Sequence, residues 1–146
     1  YSTSKQIEST DYCINWLLKK GIPSCKLVIG AAFYARVWKN VPPKHHGLYQ
    51  PGKFSAFISY RKAADSLFGQ NGFRMHYDRK ARASYSYNRK TGDFATFDDP
   101  ASIRRKTRYA YDRKLGGLMF WELTLDKPEG GLLEVITRTL QEEKKR

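Results

Sequence analysis

Aromatic and polar side chains follow two apolar runs of the sequence, at the points where each run ends. The first run ends in Tyr34 and Arg36, with Trp38 two residues further on. The second run contains Met119 and ends at Trp121. A flat indole ring offers an apolar surface on which a sugar ring can stack. These five residues are therefore candidates for binding a ligand, with Trp121 first, although a tryptophan that only packs in the core remains the alternative.

Carboxylates that could act as an acid or a base occur at two places. Asp98 and Asp99 are adjacent, and Glu122 directly follows Trp121. Asp99 precedes Pro100, and an aspartate before a proline at the first helical position is typical of a helix N-cap. We therefore interpret the aspartate pair as the start of a helix rather than as a catalytic pair. Glu122 is kept as a weaker candidate.

The cysteines and histidines do not have the spacing of a metal site. Cys13 and Cys25 form no C-x-x-C pair, and no Cys/His set has the spacing of zinc ligands. The two cysteines could form one disulfide or remain as buried free thiols. His45 and His46 lie in a proline-rich stretch without a third ligand, which favours a solvated loop. The sequence therefore predicts no metal and no cofactor.

The chain is strongly basic, with a formal net charge of +13 over 146 residues. Nucleic acid is the first partner that such a charge suggests. However, the basic residues are spread from Lys5 to Arg146, and the densest run, at 104–108, falls in a predicted helix that also needs an apolar face. A generally basic surface that keeps the chain soluble is therefore favoured over nucleic-acid binding.

Length and composition predict one globular domain. The sequence is 40% hydrophobic and 14% aromatic, which excludes a disordered chain. No apolar run approaches the ~20 residues that a membrane span requires. The sequence also shows no charged-then-apolar start typical of a signal peptide.

Helices are predicted where apolar residues recur at helical spacing. The first covers residues 4–20, with Ser4 as its N-cap. A short helix is predicted at 60–68, and a longer one starts after Asp99 and ends before Gly116. The last begins near Leu132, and its charged tail, from residue 141 onward, is expected to fray.

Two kinds of strand are predicted. Residues 27–33 are continuously apolar, and so are residues 118–123 apart from Glu122, as in strands that are buried on both faces of a parallel sheet. Side-chain character alternates along residues 73–78 and 83–88, and residues 94–97 follow a glycine-containing turn. Together these features predict a small antiparallel section. The order of elements therefore predicts an α/β fold, either a small open domain or a piece of a larger barrel.

Three segments, in order, resemble glycoside hydrolase family 18, the chitinase family. KLVIGAAFYARVW is similar to the sixth barrel strand, K-L-x-x-G-x-x-F-Y-G-R-x-W, with Ala35 in place of the usual glycine. YDRKARASYSYN and GDFATFDDPASI resemble the family's α+β insertion as it returns to the seventh strand. LGGLMFWELTLD resembles the eighth strand with its Trp-Glu end. The resemblance covers nearly the whole chain.

The resemblance implies the C-terminal half of a (β/α)8 TIM barrel, about strands 6 to 8. Residues 1–37 and 93–146 would belong to the barrel, and residues 38–92 to the insertion. Active sites of this fold lie at the C-terminal ends of the strands. By resemblance, Trp121 is the hydrophobic floor under the scissile sugar, and Tyr34 and Arg36 bind substrate hydroxyls or support the acidic cluster. In the family, the residue at Glu122 is not the catalytic acid.

The family's catalytic motif, D-x-x-D-x-D-x-E on the fourth strand, does not occur in this sequence, and neither does the fifth-strand motif Met-x-Tyr-Asp. In the family, the glutamate of the first motif is the general acid and the N-acetyl group of the substrate is the nucleophile, which departs from the usual two-carboxylate scheme. The resemblance therefore implies a hydrolase of β-1,4-linked N-acetylglucosamine polymers to which this chain contributes cleft residues. No catalytic residue is expected in the chain, and alone it is predicted to be inactive.

Two alternatives stay open at this point. One is a non-catalytic, lectin-like chitin-binding member of the family, and the other is a basic nucleic-acid-binding domain. For the leading interpretation the expected partners are chitin or N-acetylglucosamine oligosaccharides. The N-terminal half of the barrel, or a second copy of the chain, is expected to cover the open strand edges. A secreted or cell-surface location is expected by resemblance.

Overall fold

A computed structural model describes residues 9–146, which form two β-sheets and four α-helices. The helices are α1 (Thr10–Lys19), α2 (Tyr60–Ser66), α3 (Pro100–Asp112) and α4 (Leu132–Lys144). The strands are β1 (Val28–Ala32), β2 (Tyr34–Lys39), β3 (Lys53–Ser59), β4 (Phe73–Asp78), β5 (Ala83–Asn88), β6 (Asp93–Phe97) and β7 (Gly117–Trp121). Within the same residues, no helix is both long and apolar enough to cross a bilayer.

The first sheet contains two parallel strands, β1 and β7, and carries helices on one face only. Successive residues of a strand point to opposite faces. Ile29 and Ala31 are buried among apolar side chains of α1, α3 and α4. Val28 points the other way and is 55% exposed. The sheet therefore has one packed face and one bare apolar face.

The second sheet is antiparallel, with the strand order β3-β2-β6-β5-β4. Helix α2 covers one face, where Ala63 and Leu67 pack against Ala35, Val37 and Ala95. On the other face, Val41 and Leu48, from the segment between β2 and β3, pack against aromatic rings of β5 and β6. Most of this sheet is therefore covered by short segments that lie close to it in the sequence.

A single residue, Phe33, joins the two sheets. Its N–H donates to the carbonyl of Trp121 and its carbonyl accepts from the N–H of Tyr60, both at 2.9 Å. The Phe33 ring is fully buried and stacks on Phe120, with 4.7 Å between the ring centroids. Because β1 ends just before Phe33 and β2 begins just after it, the end of the parallel sheet is fixed to the start of the antiparallel one.

Several elements agree with the sequence-based predictions. Strands β4, β5 and β6 lie where the alternation and the turn placed them, and α2 occupies the predicted short helix. Helix α3 starts as predicted, with Asp99 as N-cap and Pro100 in the first turn. Helix α1 begins at Thr10 with Ser9 as its cap, while the predicted cap Ser4 lies outside the described residues.

The structure corrects the prediction of three barrel strands in sequence. Strands β1 and β7 are hydrogen-bonded neighbours, so no strand lies between them. Residues 94–97, expected to lead back into the barrel, belong to β6 and pair antiparallel with β2 and β5. The two parallel strands are also not buried on both faces, because no other described element covers the face of Val28.

Two smaller predictions are also wrong. The last helix does not fray at residue 141 but continues to Lys144, because Arg108 of α3 holds Glu143 at 2.8 Å. Cys13 and Cys25 are exposed free thiols rather than buried ones or a disulfide. Strand β3 was not predicted at all. The division of the chain at residues 37/38 and 92/93 stays a prediction, and the antiparallel sheet itself runs from Tyr34 to Phe97.

Candidate functional site

Trp121 and Met119 lie on the bare face of the parallel sheet, at the C-terminal end of β7. Alternation along β7 places Leu118 and Phe120 towards the helices, which leaves Trp121 65% exposed and Met119 also exposed. The Met119 methyl group lies across Gly30 of β1, 3.6 Å from where a β-carbon would be. The indole of Trp121 is thus presented to solvent on a strand whose backbone is held by its neighbour.

Tyr34, Arg36 and Trp38 alternate along β2 and share one face of the antiparallel sheet. Tyr34 follows two residues after Ala32, which is the register partner of Trp121. The hydrogen bond between Phe33 and Trp121 ties the start of β2 to the end of β7. The structure therefore places Tyr34, at the start of β2, close along the chain to the end of β7 that carries Trp121. Arg36 and Trp38 lie further along β2.

Arg36 lies over a group of aromatic rings. Its guanidinium carbon is 5.5 Å from the ring centroid of Trp38, 5.5 Å from that of Phe54 and 5.4 Å from that of Phe57. At such distances a cation is attracted to the negative faces of the rings. Trp38 itself is half-buried between Phe54 and Phe94, so its ring packs as well as facing the surface.

Phe54 and Phe57 belong to the aromatic group over which Arg36 lies, and the sequence-based prediction did not include them. They are three positions apart and would point to opposite faces of a regular strand. A register shift between Val37 and Trp38 changes this, because it pairs Phe57 with Arg36 and Phe54 with Trp38. An extra residue of this kind is a β-bulge, and it re-aims side chains. The one signal in the sequence for their role was that two phenylalanines occur in a stretch whose apolar residues do not recur at the spacing of a buried face.

The two adjacent aspartates are fully used in holding the fold together. Asp98 accepts from the Ala32 N–H at 2.9 Å, from the Lys106 ammonium at 2.6 Å and from the Ser102 hydroxyl at 2.9 Å. Asp99 caps α3 through the Ser102 N–H at 2.7 Å and accepts from the Ser84 hydroxyl at 2.6 Å. The interpretation of Asp99 as a helix cap is confirmed, and Asp98 links β1 to α3.

Glu122 differs from the aspartates because it sits at the site and is only partly buried. A cis peptide bond joins it to Trp121. Its carboxylate accepts a short hydrogen bond from the Thr124 hydroxyl, within the turn that follows β7. This contact holds the Glu122 carboxylate within the turn that follows β7.

The histidines form a stacked pair on the antiparallel sheet, away from Trp121. His46 lies on His76 with 4.2 Å between the ring centroids, and His76 in turn stacks on Tyr85 at 5.2 Å. Burial lowers the pKa of His76 from its ordinary value, and the nearby His46 and Arg74 lower it further. Among residues 9–146, no three His, Cys, Asp or Glu side chains are grouped as a metal site would require.

The candidate site is an open strip rather than a pocket. A concavity of about 560 Å³ lies around the start of α4 and is lined by Arg61, Leu123, Asp126 and Glu134 among others. It does not include Trp121 or any residue of β2. The exposed rings at the ends of β7 and β2 are suited to a long, flat ligand that lies across a surface.

Comparison with known proteins identifies the family. The model of glycosyl hydrolases family 18 matches residues 1–126. Chitinase B of Serratia marcescens is 32% identical over an alignment of 146 residues that covers 84% of this chain and 29% of that protein. The chain therefore belongs to glycosyl hydrolases family 18.

Solved structures agree with this assignment. A family 18 N-acetylglucosaminidase from Paenibacillus barengoltzii superimposes with a TM-score of 0.81 at 34% identity, over 92% of this chain and 39% of that one. A chitinase-like agglutinin from Robinia pseudoacacia gives a TM-score of 0.76 at 27% identity, over 94% and 39%. The predicted mixed α/β fold is confirmed, and the chain spans less than half the length of these relatives.

Proposed function

We propose that this chain forms one wall and the floor of the substrate cleft of a chitinase-like hydrolase that acts on β-1,4-linked N-acetylglucosamine polymers. The observation that carries the proposal is the exposed indole of Trp121 at the C-terminal end of β7, fixed to the start of β2 through Phe33. In TIM-barrel enzymes the active site is built at that end of the strands.

The strand pairing supports a position at the end of the barrel. If β7 is the eighth strand, β1 is its direct neighbour and takes the place of the seventh rather than the sixth. The antiparallel sheet is then an excursion between the seventh strand and its helix α3. The bare apolar face of β1 and β7 becomes barrel interior when the other strands, or a second copy of the chain, close over it.

Each candidate residue has a definite part in this arrangement. Trp121 stacks under the sugar whose bond is cleaved, and Met119 fills the space beneath it. Tyr34 and Arg36 donate hydrogen bonds to sugar hydroxyl or acetamido oxygens, with Trp38 supporting Arg36 from below. In this proposal the general acid comes from outside these 146 residues, because the D-x-x-D-x-D-x-E motif is absent, Asp98 and Asp99 are engaged in structural contacts, and Glu122 is held by Thr124. The N-acetyl group of the substrate acts as nucleophile.

A lectin-like role without cleavage is the second candidate. The similarity to a protein named a chitinase-like agglutinin favours keeping it, since this fold also occurs in a protein named for agglutination. Such a protein would bind chitin oligosaccharides without turnover. A nucleic-acid role has less support, since Lys106 is paired with Asp98 and Arg108 with Glu142 and Glu143. We also propose a secreted or cell-surface location, because insoluble chitin lies outside most cells.

Substitution of Trp121 tests the proposal in the protein that contains both this chain and the catalytic acid. Trp121→Ala should lower kcat/KM for chitin oligosaccharides by at least ~100-fold, because the scissile sugar loses its positioning surface. Trp16→Ala is the matched control, since that indole is also half-exposed but lies on α1. Activity of Trp121→Ala within a few-fold of the wild type would contradict the proposal that Trp121 stacks under the scissile sugar. Binding of oligosaccharide without any turnover in the wild type would favour the lectin.

A further inference from the structure

All three histidines of the chain lie at one corner of the antiparallel sheet. His45 and His46 belong to the segment between β2 and β3, and His76 lies on β4. The exposed His46 ring stacks on that of His76, with 4.2 Å between the ring centroids and 14° between the ring planes. Histidine has an ordinary pKa near ~6.5 and so changes its charge between pH ~5 and ~8. In mild acid the charge of this chain therefore changes mainly at this corner.

The middle of the segment that carries His46, residues 42–48, is held on the sheet by ring contacts. Gly47 lies so close to Tyr87 and Phe94 that a β-carbon there would come within 2.7 Å and 2.9 Å of their rings. Among the described residues, the main-chain hydrogen bonds of positions 43–48 run within the loop itself. Because no ladder of backbone hydrogen bonds joins this stretch to the sheet, its position depends on the contacts of His46 and Gly47.

Both ends of the same segment are anchored by hydrogen bonds. At the first end, the Val41 N–H donates to the Gly92 carbonyl at 2.9 Å, and the Val41 carbonyl accepts from the Tyr87 hydroxyl at 2.8 Å. At the other end, the Tyr49 hydroxyl donates to the Asp78 carboxylate at 3.2 Å. The middle can therefore move away from the sheet while its two ends stay in place.

The charges around the histidine pair do not favour a second proton. The one carboxylate beside the pair in the described part of the chain, Asp78, already accepts from two main-chain N–H groups at 2.8 Å and 3.0 Å and from the Tyr49 hydroxyl. Burial lowers the pKa of His76, and the nearby His46 and Arg74 lower it further. The titratable side chains next to the pair, on the segment, on β4 and on β5, are Lys44, His45, Tyr49, Arg74, Asp78 and Tyr85.

We propose that residues 42–48 form a pH-sensitive lid, which lies closed on the antiparallel sheet at neutral pH and opens in mild acid when His46 and His76 both carry a proton. Two positive rings at stacking distance repel each other, whereas neutral rings do not. Because the pKa of His76 is lowered in the closed form, the stability of that form is fully present above pH ~6.5 and is lost as the pH falls. Opening uncovers Tyr87 and Phe94 and loosens Trp38, which packs against the same rings.

Hydroxyl-radical footprinting tests the lid in the protein that contains the complete barrel. Tyr87 and Phe94 are at most 9% exposed, so their rings are protected from oxidation while the lid is closed. Their oxidation, measured by mass spectrometry relative to the exposed Tyr111 on α3, should rise at least ~fivefold between pH ~7.5 and ~5, because the open form becomes populated. The fully buried Phe33 should stay protected at both pH values.

Three substitutions separate the stack from its surroundings. His76→Phe keeps a ring between His46 and Tyr85 but cannot take a proton, so the oxidation of Tyr87 should stay low at both pH values. His46→Asn removes ring and charge at a positive φ of 54°, which asparagine tolerates, and should give one raised level of oxidation at both pH values. His45→Asn is the matched control, since that neighbour has a φ of 51° and is outside the stack, and it should keep the wild-type response.

Each other result overturns the lid. Equal oxidation of Tyr87 in the wild type at both pH values shows that the segment does not open. A full acid response in His76→Phe shows that repulsion within the stack is not its cause, and His46→Asn decides the same point if His76→Phe does not fold. A response that disappears in His45→Asn assigns it to the wrong ring. Oxidation of Phe33 that rises together with that of Tyr87 shows unfolding of the whole chain rather than movement of one segment.

Discussion

The two sheets of this chain differ in how far they complete their own packing. The five-stranded antiparallel sheet has α2 on one face and the segment around Val41 and Leu48 on half of the other. The two-stranded parallel sheet has helices on one face and nothing among the described residues on the other. Two strands alone are marginal as a sheet. The antiparallel sheet is therefore packed on one face and on half of the other, whereas the parallel sheet leaves one apolar face without packing partners among the described residues.

The largest expected effect tests the packed face of the parallel sheet. Phe33→Ala removes a fully buried ring that stacks on Phe120, and should lower the free energy of unfolding by about 3–5 kcal/mol. Val28→Ala, on the bare face of the same sheet, should change it by less than ~0.5 kcal/mol in the 146-residue chain. Urea unfolding followed by fluorescence measures both. A loss above ~2 kcal/mol for Val28→Ala would show that this face is covered after all.

A smaller effect tests the link between the two regions. Asp98→Ala removes the acceptor of the Ala32 N–H and leaves the Lys106 ammonium with only its longer contact, 3.4 Å, to the Gly30 carbonyl. A loss of about 2–3 kcal/mol in unfolding free energy is expected, because the part-buried Ala32 N–H loses its acceptor and the ion pair with Lys106 is broken. Asp65→Ala is the control, since that exposed carboxylate pairs only with Lys127 at the surface and should cost at most about 1 kcal/mol. Equal losses in the two variants would contradict the linking role of Asp98.

The smallest effect concerns ionisation rather than packing. Burial raises the pKa of Tyr60 to about 12, and the carboxylates of Asp126, Asp99 and Asp65 add to the shift. The folded pKa lies above the unfolded value near ~10, so the neutral phenol stabilises the fold fully below pH ~10. That contribution is lost as the pH rises from ~10 to about 12. In an ultraviolet titration, Tyr60→Phe should remove amplitude only from the late part of the curve. Amplitude lost near pH ~10 would contradict the shift.

The elements predicted well from the sequence are those whose signals are local. Strands β4 and β5 follow an alternation that is visible in the residues themselves, and the turn before β6 contains Gly92 with a positive φ of 71°. Asp99 and Pro100 mark the start of α3 for the same reason. Such signals depend on neighbours in the chain and not on what packs against them.

The incorrect predictions concern burial and strand pairing that depend on contacts between residues distant in the sequence. Continuous apolar runs predict strands buried on both faces, yet Val28 and Trp121 face solvent because burial depends on residues outside the two strands. Strand β3 was missed because the register shift that aligns Phe54 with Trp38 is created by pairing with β2. The substrate-binding roles of Trp121, Tyr34, Arg36, Trp38 and Met119 stay a prediction. The structure adds that Phe54 and Phe57 lie beside Arg36, which the sequence did not indicate.

The double anchoring of Phe33 has a consequence for how the chain can change. Both backbone groups of this residue are engaged, one with the end of β7 and one with the start of α2. The stretch between α2 and β6 therefore begins at a residue that is bonded to Phe33, and it ends in β6, which pairs with β2 just after Phe33. Its loops can lengthen, shorten or be exchanged without displacing Trp121. Under the proposed function, changes in that stretch would alter substrate preference, while the position of Trp121 at the end of β7 stays constant.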